Sequence, residues 1–137
     1  MTIPIRHKHN LPSAGRKLLK HAGNARILAF YGEMGAGKTT IIKVLCRLLG
    51  AVDIAVSPTF TLVNEYRTAS GTPIYHIDFY RINNTDEVFD FGFEEYLSGN
   101  NYCFIEWPGL VEAFLPEETL KIRIRIGEND ERFLDLP

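Results

Sequence analysis

Eight consecutive residues, Gly32-Glu33-Met34-Gly35-Ala36-Gly37-Lys38-Thr39, have the spacing G-x-x-x-x-G-K-[ST]. Glycines at this spacing let the backbone turn tightly and aim successive N–H groups at phosphate oxygens, and a helix starting behind them adds the positive end of its dipole. Lys38 would reach the β- and γ-phosphates of a nucleoside triphosphate, and the Thr39 hydroxyl would hold Mg²⁺. Two carboxylates could complete such a centre. Asp78 closes the run Ile74-Tyr75-His76-Ile77-Asp78, and Glu106 closes Tyr102-Cys103-Phe104-Ile105-Glu106 ahead of Trp107. Either has the form of the acidic residue that completes a Mg²⁺ site in P-loop enzymes, and either could orient or deprotonate a water attacking the γ-phosphorus. Residue chemistry alone does not rank them. His76 shares a face with Ile74 and Asp78 and reads as a buried packing histidine rather than a catalytic base. Ser57 precedes Pro58, which holds its hydroxyl on a stiff extended corner. An ordinary hydrogen-bonded turn and a nucleotide-sensing loop fit that corner equally well. No arginine stands at an obvious place for an internal charge-stabilising finger, and Arg81 is a candidate.

These groups need elements to position them. The apolar run Ile27-Leu28-Ala29-Phe30-Tyr31 has the pattern of a buried parallel strand leading into the loop. Behind the loop, Ile41, Ile42, Val44, Leu45 and Leu48 recur at helical spacing up to Gly50, predicting a helix over about 37–49. In open α/β sheets ligands gather at the carboxyl ends of strands, so strands over 73–79 and 102–107 would deliver Asp78 and Glu106 to the edge that carries the loop. Upstream, residues 2–6 suit a short edge strand, and Pro12 to Ala22 a helix with proline in its first turn and Gly23 as its cap. The segment 51–66 combines a hydroxyl-rich turn with an alternating strand, and 68–72 forms a hairpin turn. Asn84 and Glu87 have capping-box spacing at the start of a short helix, a second short helix covers 93–97, and Leu110 to Leu115 suits a third. At the end, Leu120, Ile122, Ile124 and Ile126 alternate with Lys121, Arg123 and Arg125, then Gly127 to Asp130 turn the chain into 132–136. The basic stripe reads as the solvated face of an antiparallel edge. The expected fold is therefore α/β: a single P-loop domain over 1–137, with a central, mostly parallel sheet flanked by helices and antiparallel strands at the edge.

Composition sets limits on partners. A net charge of −2 over 137 residues gives no electrostatic reason for strong binding of nucleic acid by the chain itself. No run approaches the ~20 apolar residues of a membrane span, and residues 1–8 lack an apolar signal core, so a cytoplasmic protein without membrane contact is expected. Cys46 and Cys103 lie among apolar neighbours and read as buried free thiols.

The ordered blocks carry a family resemblance. Gly32 to Thr40, then Ser57-Pro58-Thr59-Phe60-Thr61-Leu62-Val63-Asn64-Glu65-Tyr66, then His76-Ile77-Asp78-Phe79-Tyr80-Arg81, and finally Ile105-Glu106-Trp107 resemble the TsaE (YjeE) family of P-loop ATPases in bacterial tRNA threonylcarbamoyladenosine (t6A) synthesis. A P-loop alone marks a vast superfamily; the later blocks are far more specific. Met34 departs from the leucine more usual there, a change that conserves volume. The resemblance implies a cytoplasmic ATPase that binds ATP with Mg²⁺, is weak alone, and acts with TsaD-like and TsaB-like proteins, meeting tRNA through that complex. It implies that Thr39 and Glu106 complete the metal shell and that Asp78 lies in or near the catalytic centre. It further puts Gly32 to Thr40 around the nucleotide, Ser57 and Thr59 in a loop responsive to the γ-phosphate, and Trp107 in support.

Three other functions compete with this reading. A small-molecule kinase would share the cradle, but the chain has no room for an obvious acceptor domain or lid. A GTP switch would need an Asn-Lys-x-Asp element, which does not occur. Direct tRNA binding is disfavoured by the charge.

Overall fold

The computed structural model describes residues 1–55, 62–90 and 92–137. Among them eight strands form one sheet: β1 (Thr2–Ile5), β2 (Ile27–Tyr31), β3 (Ala51–Ala55), β4 (Val63–Thr68), β5 (Pro73–Asp78), β6 (Cys103–Glu106), β7 (Leu120–Ile126) and β8 (Arg132–Asp135). Their order is β1-β8-β7-β2-β6-β5-β4-β3. The four central strands β7, β2, β6 and β5 run parallel, and the pairs outside them are antiparallel. The carboxyl ends of β2, β5 and β6 therefore share one edge of the sheet.

Helices cover both faces. α1 (Leu11–Ala22) and α2 (Lys38–Leu48) bury Ala14, Leu18, Ile41, Ile42 and Leu45 against Leu28, Phe30, Phe104 and Ile122. Gly15 lets the two helices approach closely, since a Cβ there would stand 2.7 Å from a Leu48 methyl. On the other face α3 (Thr85–Asp90), α4 (Phe93–Ser98) and a 3-10 segment, Pro108–Phe114, press Val88, Phe93 and Val111 onto Ile27, Ile77, Cys103 and Ile105. This alternation is the period-two consequence of strands sandwiched between helical layers. It sends His76, Asp78 and Glu106 toward the α2 side with Phe104, while Ile77 and Ile105 pack the opposite layer.

The helix predicted over 12–22 begins one residue earlier and ends at Gly23, whose φ of 57° favours glycine. The Asn84 side chain accepts the Glu87 N–H at 3.2 Å, as the capping-box spacing suggests. Cys46 and Cys103 are buried free thiols, and burial raises each to about 12.

Three expectations change. The stretch 51–66 contains an additional edge strand, β3, whose five residues have no clean alternation of apolar and polar side chains and are held by pairing to β4. The basic strand β7 is interior, with β2 on one side and β8 on the other; its lysine and arginines are exposed on a face, while β1 forms the edge. The helix expected at 110–115 is a 3-10 segment that starts at Pro108, where proline suits a first turn. No helix among the described residues is long and apolar enough to cross a membrane.

Candidate nucleotide and metal site

β2 ends at Tyr31, and the loop 32–37 carries the chain into α2 at Lys38. Gly35 and Gly37 take φ values of 83° and 104°, where a side chain would strain the backbone. The turn is closed by the Ala36 N–H donating to the Glu33 carbonyl at 3.1 Å, and the Gly37 carbonyl accepts the first helical bond, from Ile41, at 3.0 Å. Arg132 of β8 donates to the Ala36 carbonyl at 3.0 Å and so ties the loop to a strand far along the chain.

Lys38 is only 5% exposed. Its Nζ donates to the Gly32 carbonyl at 2.5 Å and lies 3.5 Å from the centroid of the Trp107 ring. Burial lowers the Lys38 ammonium below the usual lysine value, against the opposing pull of the Glu106 and Asp78 charges. Trp107 holds its ring there from a left-handed backbone, φ 54° and ψ 58°.

Thr39 opens α2 and donates its hydroxyl to the Glu106 carboxylate, 2.8 Å from Oε2 and 3.0 Å from Oε1. Glu106 is 3% exposed and also takes His76 Nε2 at 2.6 Å. Burial pushes the Glu106 carboxyl up, but the His76 imidazole, the Thr39 hydroxyl and the Lys38 ammonium together outweigh it and hold the carboxyl below its ordinary value. An ionised carboxylate only accepts hydrogen bonds, which assigns the proton at this contact to Nε2.

Asp78 stands directly opposite Glu106 in the β5–β6 register. Its Oδ1 accepts the Tyr80 N–H at 2.9 Å, an Asx turn that ends the strand. A cavity of ≈ 300 Å³ opens between these parts, with Met34, Gly35, Gly37 and Thr40 on the loop side, Lys38, Thr39 and Glu106 deeper, and Asp78, Tyr80 and Trp107 opposite. Of the residues singled out from the sequence, Lys38, Thr39, Asp78 and Glu106 thus converge. Glu33 supplies a carbonyl to the turn, and Ser57 and Thr59 lie outside the described residues. Arg81 is exposed and does not line the cavity.

Sequence reasoning missed a second cavity of ≈ 480 Å³ against the same loop, where Gly35, Ala36, Gly37 and Thr40 meet His7, Lys8, Asn129, Asp130 and Arg132. Its residues come from two chain ends with no spacing motif. The turn Gly127 to Asp130 and the lone arginine of β8 were the visible signals.

The parallel centre, the glycine loop and the helix that follows it define a P-loop fold. The crystal structure of Bacillus subtilis YdiB is similar to this chain, with a TM-score of 0.74 and 30% identity, covering 99% of this chain and 83% of that one. The family model described as "Threonylcarbamoyl adenosine biosynthesis protein TsaE" matches residues 5–134. Proteins named tRNA threonylcarbamoyladenosine biosynthesis protein TsaE are similar as well. The Bacillus subtilis protein is 43% identical over 77% of this chain and 65% of its own length. The Haemophilus influenzae protein is 37% identical over 78% of this chain and 68% of its own. The chain belongs to the TsaE family.

Proposed function

We infer that this chain is a Mg²⁺-dependent ATPase that serves t6A formation on tRNA in the cytoplasm, in complex with TsaD-like and TsaB-like proteins. The observation that carries the reading is the convergence of the Thr39 hydroxyl and the Glu106 carboxylate, 2.8 Å apart, beside Lys38 at the head of α2. The family supports the pathway, since its model and relatives carry the t6A name.

The donor set fits Mg²⁺. A hydroxyl and a carboxylate are hard oxygen ligands, and Mg²⁺ is ordinarily held by one or two carboxylates together with substrate phosphates and water. Bound there, the metal would neutralise charge on the β- and γ-phosphates. The chain's own groups do the rest. The loop amides of Gly32 to Thr40 cradle the phosphates, Lys38 leaves the Gly32 carbonyl to meet the developing charge, and Asp78 orients the attacking water. The larger cavity on the other side of the loop receives the nucleoside.

The test is ATP hydrolysis by the purified chain with and without the two partner proteins and tRNA. Free phosphate, released weakly alone and faster with the assembled partners, is expected. A phosphorylated metabolite instead would make the protein a kinase, and turnover untouched by the partners would remove the activation by TsaD-like and TsaB-like proteins.

A further inference from the structure

His76 lies in the middle of β5, 4% exposed, between two elements it does not belong to. Its Nε2 is 2.6 Å from Glu106 Oε2 on β6, and its Nδ1 is 3.5 Å from the Tyr66 hydroxyl on β4. The Tyr66 and His76 rings lie nearly parallel, 18° apart with centroids at 6.3 Å. Behind Glu106 the chain of groups is therefore Tyr66, His76, Glu106 and Thr39, crossing three adjacent strands and ending on the first turn of α2. A histidine needed only to fill space would have no reason to aim a ring nitrogen at a buried carboxylate, because an apolar side chain of similar size avoids desolvating a polar group.

We propose that His76 is a positioning residue for the metal-holding carboxylate: its Nε2–H fixes the rotamer of Glu106, so that the carboxylate meets the Thr39 hydroxyl in the geometry a divalent cation requires. The inference rests on the Mg²⁺-ATPase reading above. A carboxylate on a flexible side chain loses part of its affinity for a cation to the entropy of being held still. An outer hydrogen-bond partner removes that cost in advance, and loss of such a partner typically weakens metal binding about 10- to 100-fold. His76 touches neither nucleotide nor metal in this role. Its influence passes wholly through Glu106.

Two amides of similar polarity separate positioning from packing. In His76→Gln the side-chain amide nitrogen reaches the place of Nε2, whereas in His76→Asn it stops near Nδ1 and falls short of Glu106. The readouts are the free Mg²⁺ concentration giving half-maximal hydrolysis, the Mg²⁺ titration of the nucleotide-bound protein followed by fluorescence of Trp107, nucleotide affinity in excess EDTA, and the melting temperature. His76→Asn should raise both Mg²⁺ midpoints about 10-fold or more while nucleotide affinity in EDTA stays at the wild-type value. His76→Gln should return both midpoints to within about three-fold of wild type. Should His76→Asn fail to fold, His76→Leu takes its place in the comparison. Equal midpoints in the two variants, or midpoints unchanged in both, overturn the proposal and leave His76 a packing residue. A wild-type protein that hydrolyses ATP with no need of a divalent cation overturns the underlying reading instead, and the positioning role with it.

Discussion

Asp78 and Glu106 end adjacent parallel strands in direct register, each closing an apolar run, yet their surroundings differ sharply. Glu106 is enclosed by groups from α2 and β5, hydrogen-bonded to two of them, the Thr39 hydroxyl and the His76 imidazole, and further favoured as an anion by the charge of the Lys38 ammonium. Asp78 is half-buried, and its Oδ1 accepts a hydrogen bond from the backbone two residues on. Register fixes the edge at which a carboxylate arrives. What it can do there depends on what other elements bring to it. A carboxylate clamped from several sides suits a metal, which needs fixed oxygen ligands; one on a strand-ending turn at the cavity wall suits a water, which has to come and go.

Removing either charge tests this division. Glu106→Gln keeps the shape and removes the anion, and kcat should fall about 1,000-fold, the scale of several kcal/mol of metal-dependent stabilisation. Its Mg²⁺ requirement should rise in parallel. Asp78→Asn should cost about 100-fold in kcat, the lower range for a positioned base, with the Mg²⁺ midpoint unchanged. The asparagine oxygen can still accept the Tyr80 N–H, so the turn and the melting temperature should be preserved. If Asp78→Asn moves the Mg²⁺ midpoint and Glu106→Gln does not, the two roles are exchanged.

Acid stability sharpens the same contrast from the Glu106 side. Its folded carboxyl sits below the ordinary glutamate value of 4.5, so the unfolded chain takes up its proton first as pH falls. The stability this contributes is fully present above 4.5 and is lost as pH drops through the lower, folded value. In urea titrations the stability gap between wild type and Glu106→Gln should be widest near neutrality and narrow on acidification below 4.5. A gap that stays constant with pH would mean that the clamp around Glu106 does not favour its charged form.

Much of this architecture was legible because it follows from local pattern. The buried run before Gly32 and the helical spacing after it fix strand, loop and helix, and two further apolar runs fix β5 and β6. What could not be read was the environment of each strand end. His76 looks like packing because one strand's period says only which face it is on, and the carboxylate it meets comes from β6, thirty residues later. β3 escaped because its ladder to β4, rather than its own composition, holds it in the sheet. The second cavity escaped for a related reason: His7 and Arg132 meet only because β1 pairs with β8 and closes the two chain ends together.

Lys38 feels the charge of both carboxylates, and the smallest expected effect concerns what restrains it. Its ammonium rests 3.5 Å from the Trp107 ring centroid, and a tryptophan face attracts a cation by about 0.5–1 kcal/mol, or more once desolvated. To meet phosphate the lysine has to leave that ring and the Gly32 carbonyl. Trp107→Phe keeps an aromatic face but weakens the attraction, so the ligand-free arrangement loses more than the nucleotide-bound one. Calorimetric titration should then show ATP binding about two-fold tighter in Trp107→Phe, and at most about five-fold, since the phenyl ring keeps part of that interaction energy. Binding weakened ten-fold or more would mean instead that the indole itself contacts the nucleotide. Trp107 would then bind nucleotide directly rather than only line the cavity beside Lys38, and the asymmetry between the two carboxylates would need a third, aromatic member to explain it.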